Sequence, residues 1–226
     1  MMPPPISIVV PVLNEAHHIE STLTHLAPLR QRGVEVVVVD GGSHDKTVAR
    51  ATALADVVVQ ASRGRARQMN AGAAAARGEI LLFLHADTLL PPDADRFVQQ
   101  ALANGHVWGR FDVHIVGQHP MLGVVATLMN WRSRLTGIAT GDQAIFMWRE
   151  AFERVGGFPD QPLMEDIEMS RRLGALAAPI CLTQRAATSG RRWESRGVWR
   201  TIALMWWLRW RYWRGDSPQR LAKAYR

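Results

Sequence analysis

The sequence has a single cysteine, Cys181. One thiol cannot build a disulfide framework or a multi-cysteine zinc site. Long apolar runs are missing too, since none approaches the ~20 residues that a membrane-spanning helix needs. The chain opens Met-Met-Pro-Pro-Pro and passes straight into an apolar stretch. No basic segment, long apolar core or small-residue cleavage site stands there, so no secretory leader is expected. The expectation is a cytoplasmic protein, soluble or held peripherally on the inner face of a membrane. Internal repeats and low-complexity linkers are absent. So are Gly-x-Gly-x-x-Gly and Gly-x-x-x-x-Gly-Lys-Ser/Thr, which excludes a dinucleotide fingerprint and a P-loop.

What is present is apolar bulk with an uneven charge. Of 226 residues, 47% are hydrophobic and 21% charged. That balance excludes global disorder and is enough for one sizeable core. The net charge is +7, but residues 185–226 hold 11 Lys/Arg against 2 Asp/Glu, whereas the first 184 hold 16 against 18. The body is slightly acidic and is not expected to bind nucleic acid. Six of the nine tryptophans fall between Trp193 and Trp213. The chain therefore reads as a domain over residues 1–184 and a basic, Trp-rich helical appendage over 185–226, part of the same unit.

Ile6–Val10 is a β-branched run stopped by Pro11, a buried strand. A helix is expected over residues 15–30, ended by Gly33. Val34–Val39 has no polar alternation after Glu35, as suits a strand covered on both faces. Gly41-Gly42-Ser43 breaks it, and Ser43 or Asp45 can cap the next helix. Val57–Gln60 is a third strand, Arg65–Arg77 an Ala-rich helix, Glu79–Leu84 a fourth strand, and Pro91-Pro92-Asp93 opens a further helix. Four strand–helix units in succession predict a doubly wound, mostly parallel α/β sheet. The second half is less regular. Strands are expected over 106–116 and 143–148, and helices over 166–176 and 198–214.

In such a sheet, ligands bind beyond the carboxyl ends of the strands. Three strands end there in polar segments: Pro11-Val12-Leu13-Asn14-Glu15, Asp40-Gly41-Gly42-Ser43 and His85-Ala86-Asp87-Thr88. Each alone fits a turn with a helix cap; together on one rim they favour a site. Asp40 can accept hydrogen bonds from a ribose hydroxyl or a base. An aspartyl-phosphate phosphatase would need an acid where Gly42 stands.

VPVLNE, VVVVDGGSHDKT, GRARQMNAGAAAARGEILLFLHADT, GDQAIF, VGGFPD and MEDIEMSRRL follow one another in this order. Across roughly residues 6–193, the set resembles the family 2 glycosyltransferases, whose GT-A fold binds nucleotide sugars. The closer likeness is to a small bacterial subgroup of glycosyltransferases associated with radical-SAM or selenium-related gene clusters, which share the Arg191-Arg192-Trp193 element.

The resemblance implies an inverting transfer from a nucleoside-diphosphate sugar, most often a UDP-sugar, to an acceptor it does not supply, assisted by a divalent cation, Mn²⁺ or Mg²⁺. Asp87 is the implied metal ligand. The family's Asp-x-Asp begins here with His85, and imidazole suits manganese better than magnesium; alternatively His85 packs or hydrogen-bonds beneath the site. Asp166 is the implied base, with Glu165 raising its pKa by like-charge repulsion. The competing reading is an acidic first turn complementing the helix dipole. Donor recognition falls to Pro11, Asn14, Glu15, Asp40, Asp87 and the Arg65–Asn70 stretch, in which Arg65 or Arg67 can lie along the base or phosphates. Asp142 and Gln143 border the sugar or acceptor, as do Arg191, Arg192 and Trp193. The last three resemble a Gln-x-x-Arg-Trp element without its glutamine, which argues against processive polymerisation.

In the tail, Arg200, Arg211 and Arg214 share one helical side with Leu204 and Trp207, and Arg209 opposes them. This is not a clean amphipath, and eight residues between Arg200 and Arg209 cannot span a bilayer. The expected partner of residues 198–214 is an anionic membrane surface, or protein, either the catalytic domain or a second copy in a homodimer. Two other functions compete. A nucleotidyltransferase on a similar fold needs a Gly-rich loop where Leu13-Asn14-Glu15 stands. A non-catalytic membrane or nucleic-acid adaptor would act through the tail.

Overall fold

The structure is a computed structural model describing residues 5–225; residues 1–4 and 226, at the outer limits of the expected domain and appendage, lie outside the described residues. The chain runs β1 (Ile6–Val12), α1 (Ile19–Gln31), β2 (Glu35–Asp40), α2 (Thr47–Thr52), β3 (Val57–Gln60), α3 (Arg65–Ala75) and β4 (Ile80–Phe83). It continues through β5 (Thr88–Leu89), α4 (Ala94–Ala103), β6 (Trp108–Val116), α5 (Met121–Thr136), a 3-10 turn (Gly141–Gln143), β7 (Phe146–Trp148), α6 (Arg149–Arg154) and α7 (Glu165–Gly174). β8 (Ile180–Ser189), α8 (Arg191–Arg196), α9 (Val198–Trp213) and α10 (Pro218–Tyr225) complete it.

Among the described residues the strands form one sheet in the order β3-β2-β1-β4-β7-β6-β8-β5. β3, β2, β1 and β4 are mutually parallel, β7 runs antiparallel between β4 and β6, and β8 pairs parallel with β6. The parallel half is covered on both faces, as its runs predict. Ile8, Val10, Val36, Val38 and Leu82 face one core with α1 and α4. Val9, Val37, Val39, Leu81 and Phe83 face a second core with α3, α6 and α7. Val36 to Val39 are each 0% exposed, and full burial of one such side chain contributes roughly 1.5–3 kcal/mol. That energy fixes the register and leaves the three polar strand ends on one rim.

α5 and β8 are the longest elements that the sequence reading did not mark. α5 is apolar on its exposed as well as its buried side, so its sequence carries no helical stripe. β8 reads ICLTQRAATS, polar and only partly buried along most of its length, because it pairs near the edge of the sheet with β6 and with the two-residue β5. The composition boundary at Arg185 falls inside β8: the sheet continues to Ser189, and the helical segment begins at Arg191. The expected strand over 143–148 shortens to Phe146–Trp148, and Gly141–Gln143 is a 3-10 turn.

Candidate active site

The β1–α1 and β2–α2 loops are tied into one wall. Asn14 sits in the left-handed region at φ 55°. Its N–H donates to Ser43 Oγ (2.8 Å) and its Oδ1 accepts from the His44 N–H (2.9 Å). The Glu15 N–H donates to Thr47 Oγ1 at 2.8 Å. Asp40 is 1% exposed, and its Oδ2 accepts from the N–H groups of Gly42 (2.9 Å) and Ser43 (3.0 Å). The carboxylate expected to meet a nucleoside therefore shapes its own turn. Pro11 stands half-buried at the end of β1. Burial pushes the Glu15 carboxyl up, Arg191 opposes this, and Asp87 adds to it. Those three charges thus adjoin, and Arg191 Nη1 lies 2.6 Å from His18 Nε2.

A second wall is built from the 141–143 turn and the start of α7. Asp166 Oδ2 accepts from the Gly141 N–H (3.0 Å) and its Oδ1 from the Ile167 N–H (2.8 Å). Burial, then the charge of Glu165, pushes its carboxyl up to about 6, against the two N–H groups and Arg65. Glu165 is 4% exposed, and its Oε1 lies 3.5 Å from Nη1 of the half-exposed Arg65. Met164, just before this pair, is left-handed at φ 65°, and Ala144, just after the turn, at φ 47°. With Asn14 they are the non-glycine residues of positive φ among those described. Such strain persists only where packing enforces it, and it clusters at functional sites.

His85, just after β4, sits against the 141–143 turn. Its Nδ1 lies 3.1 Å from Asp142 Oδ1. Burial pushes the Asp142 carboxyl up, but His85, followed by Arg65 and Arg192, holds it below the ordinary carboxylate range. The buried His85 Nε2 has no hydrogen-bond partner and abuts Gly141, where a Cβ would come within 2.1 Å of it. One ring nitrogen faces Asp142 and the other is sealed by backbone. This geometry favours packing and hydrogen bonding beneath the site, the second of the two readings of His85.

Several expected contacts turn out to be scaffold. Arg67 pairs with Asp160 at 2.8 Å on the surface. Asn70 clasps the backbone of Phe158, donating to its oxygen (2.8 Å) and accepting from its N–H (2.9 Å). Gln143, 0% exposed, closes a capping box with Thr140. Trp193 packs in a cluster with Leu122, Val125 and Val198. Asn70 and Gln143 hold backbone, whereas Arg67 and Trp193 make side-chain contacts.

The geometry also adds residues. Arg132, on α5, reaches toward Asp166 and Asp142 and is pulled below its ordinary value by burial. Its Nε and Nη2 are buried without a partner, an arrangement that costs free energy unless an anion meets it. Arg192 lies over the Tyr225 ring, 3.8 Å from its centroid, and hydrogen-bonds the hydroxyl. Arg65, Met69, Phe83, His85, Glu165 and Asp166 line a narrow pocket beside the 141–143 turn. Nothing in sequence spacing marks Arg132 or Tyr225, because each arrives from an element far along the chain.

Among the described residues no three His, Cys, Asp or Glu side chains converge to hold a metal ion. Asp87 is half-buried on the rim, and its carboxylate accepts no hydrogen bond from the described residues. A single free carboxylate fits Mg²⁺ or Mn²⁺, which take most of their oxygen ligands from phosphates and water.

Residues 7–156 match the family described as Glycosyl transferase family 2. The chain belongs to that family. That membership matches the glycosyltransferase reading of the sequence. The succinoglycan biosynthesis protein ExoA of Rhizobium meliloti is 30% identical over 201 residues, covering 80% of this chain and 61% of its own. This family 2 chain thus spans less than two thirds of that relative. A mannosyltransferase from Pyrobaculum calidifontis, solved with GDP-Man and Mn²⁺, superposes with TM-score 0.64 at 27% identity, over 82% of this chain and 57% of its own. Glucosyl-3-phosphoglycerate synthase from Mycobacterium tuberculosis, solved with Mn²⁺, UDP and glucosyl-3-phosphoglycerate, gives 0.60 at 23%, over 81% and 71%. The fold is GT-A, as the sequence implied.

Proposed function

We propose that this enzyme transfers a sugar from a nucleoside-diphosphate sugar to an acceptor hydroxyl with inversion, using Asp166 as general base. The carrying observation is the Asp166 carboxyl at the start of α7, pushed up to about 6 beside Glu165. A base works best when its pKa lies near the operating pH, and a carboxylate held there by two N–H groups is oriented as well as tuned. Glu165 and Arg65 set its charge environment, and Asp142, fixed by His85, borders the sugar or acceptor.

The donor side is the wall of Pro11, Asn14, Glu15 and Asp87, with Arg65 and Arg191 as its cations. A UDP carrier is the first choice. The GDP-Man complex of the Pyrobaculum relative supports a nucleotide-sugar donor and leaves the base open. Asp87 would hold the divalent cation, with His85 fixing Asp142 instead of ligating. When bound, the cation supplies positive charge against the leaving diphosphate. Arg132 supplies a further cation toward an anionic group of the donor or acceptor. Inversion requires this base on the face of the sugar opposite the leaving diphosphate. The exposed side of α9 is a contact surface in this reading.

Nucleoside diphosphates with and without Mn²⁺ test the donor reading by thermal shift. Uridine diphosphate with Mn²⁺ should raise the melting temperature of the enzyme, by mass action. In Asp87→Ala the metal-dependent part of that rise should vanish, and an unchanged rise removes Asp87 from the metal site.

A further inference from the structure

α9 is apolar on both sides. Its inner side, with Leu204, Met205, Leu208 and Tyr212, packs together with Leu221 against Leu163, Met164 and Ile167, the neighbours of Glu165 and Asp166. Its outer side carries Trp199, Trp206, Trp210 and Trp213, exposed by 68, 71, 51 and 82%. Spacings of 7, 4 and 3 residues place these four rings on one stripe. A second stripe runs along α5: Val124, Leu128, Trp131 and Leu135 are 47, 59, 64 and 73% exposed. The helices meet where Val198 and Ile202 pack with Leu122, Val125 and Met129. Exposed apolar patches on this scale mark interaction surfaces.

Charge selects the partner. Arg211 lies over the Trp207 ring at 5.4 Å and Arg214 over Trp210 at 5.1 Å, while Arg200 and Arg209 edge the same stripe. Residues 185–226 carry 11 basic against 2 acidic residues. A second copy docked through this face would oppose two strongly positive surfaces. Single-stranded nucleic acid would stack on the indoles and leave Val124, Leu128 and Leu135 uncovered. An anionic lipid surface satisfies every part: indoles at headgroup depth, aliphatic side chains at the acyl boundary, guanidiniums on anionic headgroups. No helix among the described residues is long and apolar enough to cross a membrane, so the contact is in-plane.

We infer that the outer faces of α5 and α9 dock this enzyme on an anionic lipid surface. Because the inner face of α9 packs beside the Glu165–Asp166 pair, docking holds that pair about one helix diameter, ~10 Å, from the lipid interface. Taken with the proposed glycosyl transfer, on which this consequence alone rests, the acceptor is one presented at the membrane surface.

The test is co-sedimentation of the full chain with vesicles of phosphatidylcholine alone or mixed with phosphatidylglycerol, at low and high salt. The protein should pellet with the mixed vesicles, stay free of the neutral ones, and be released by salt. Combined Trp206→Ser, Trp210→Ser and Trp213→Ser, all at exposed positions, should weaken binding about tenfold or more. Retention in the supernatant at low salt overturns the inference, as does undiminished binding by the triple variant. A stable dimer dispersed by the same substitutions, or oligonucleotide binding, either without vesicle binding, also overturns it. The rise in melting temperature with uridine diphosphate and Mn²⁺, read on the same samples, separates the outcomes: if it persists while docking fails, only the docking falls.

Discussion

The β1–β2 loop wall and the α7 wall use charge in opposite ways. On the β1–β2 side, polar groups are satisfied by their own loops: Asp40 takes two turn N–H groups and Asn14 pairs with Ser43 and His44. On the α7 side, charge is left under tension: Asp166 is pushed up to about 6, and Arg132 keeps two buried nitrogens without partners. A satisfied wall is rigid and suits holding a nucleotide. A wall with perturbed groups suits moving a proton and meeting an anion that arrives with substrate. The difference predicts where substitutions hurt turnover and where they hurt stability.

The largest effect should fall on the tense wall. Asp166→Asn is expected to keep donor binding and lose transfer by ~10²–10⁴-fold, measured as sugar transferred per enzyme at saturating donor. Stability should move the other way. A carboxyl raised from 3.8 to about 6 binds its proton more tightly in the folded state. Its stabilisation is fully present below about pH 3.8 and lost as pH rises through about 6. At neutral pH the asparagine variant should therefore be the more stable protein, by about 1–3 kcal/mol in denaturant titration. A loss of both activity and stability would place Asp166 with the scaffold.

Arg132→Gln sharpens the comparison next. It removes a cation with two buried nitrogens that no described residue hydrogen-bonds, so the free protein should be unchanged or slightly stabilised. The KM for the substrate that carries the matching anion should rise about ten- to a hundredfold, the worth of a charged hydrogen bond. A clear drop in melting temperature with unaltered KM would mean that Arg132 is structural.

The smallest effects come from residues that only hold loops. Asn70→Ala breaks both bonds to the Phe158 backbone and should cost about 1–3 kcal/mol. Arg67→Ala removes an ion pair whose side chains are 53% and 62% exposed and should leave melting temperature and donor binding unchanged. A donor-binding loss in Arg67→Ala would return that arginine to the site.

These contrasts also mark what a sequence can tell. β1, β2 and β4 were legible because strands buried on both faces must be continuously apolar, and that constraint is local. Motif order singled out Asp142, Glu165, Asp166 and Asp87, the residues on which the proposed chemistry rests. What motif order does not reveal is which polar residues of a motif also hold its backbone. Asp40, Asn70 and Gln143 serve their own backbones, and hydrogen bonds of that kind leave no mark in residue type or spacing. α9 was unreadable as an amphipath because it is aliphatic inward and aromatic outward, so polarity does not distinguish its sides. Arg132 and Tyr225 enter the site through tertiary packing of α5 and α10, which no local pattern encodes.

The central claim, that Asp166 is a tuned base on the tense wall, is tested most directly by the pH dependence of kcat/KM for sugar transfer. The enzyme should gain activity as pH rises through about 6, the value to which burial and Glu165 push the Asp166 carboxyl, and Asp166→Asn should show low activity without that limb. A parent profile flat from pH 5 to 8, or a limb that survives in Asp166→Asn, would contradict it.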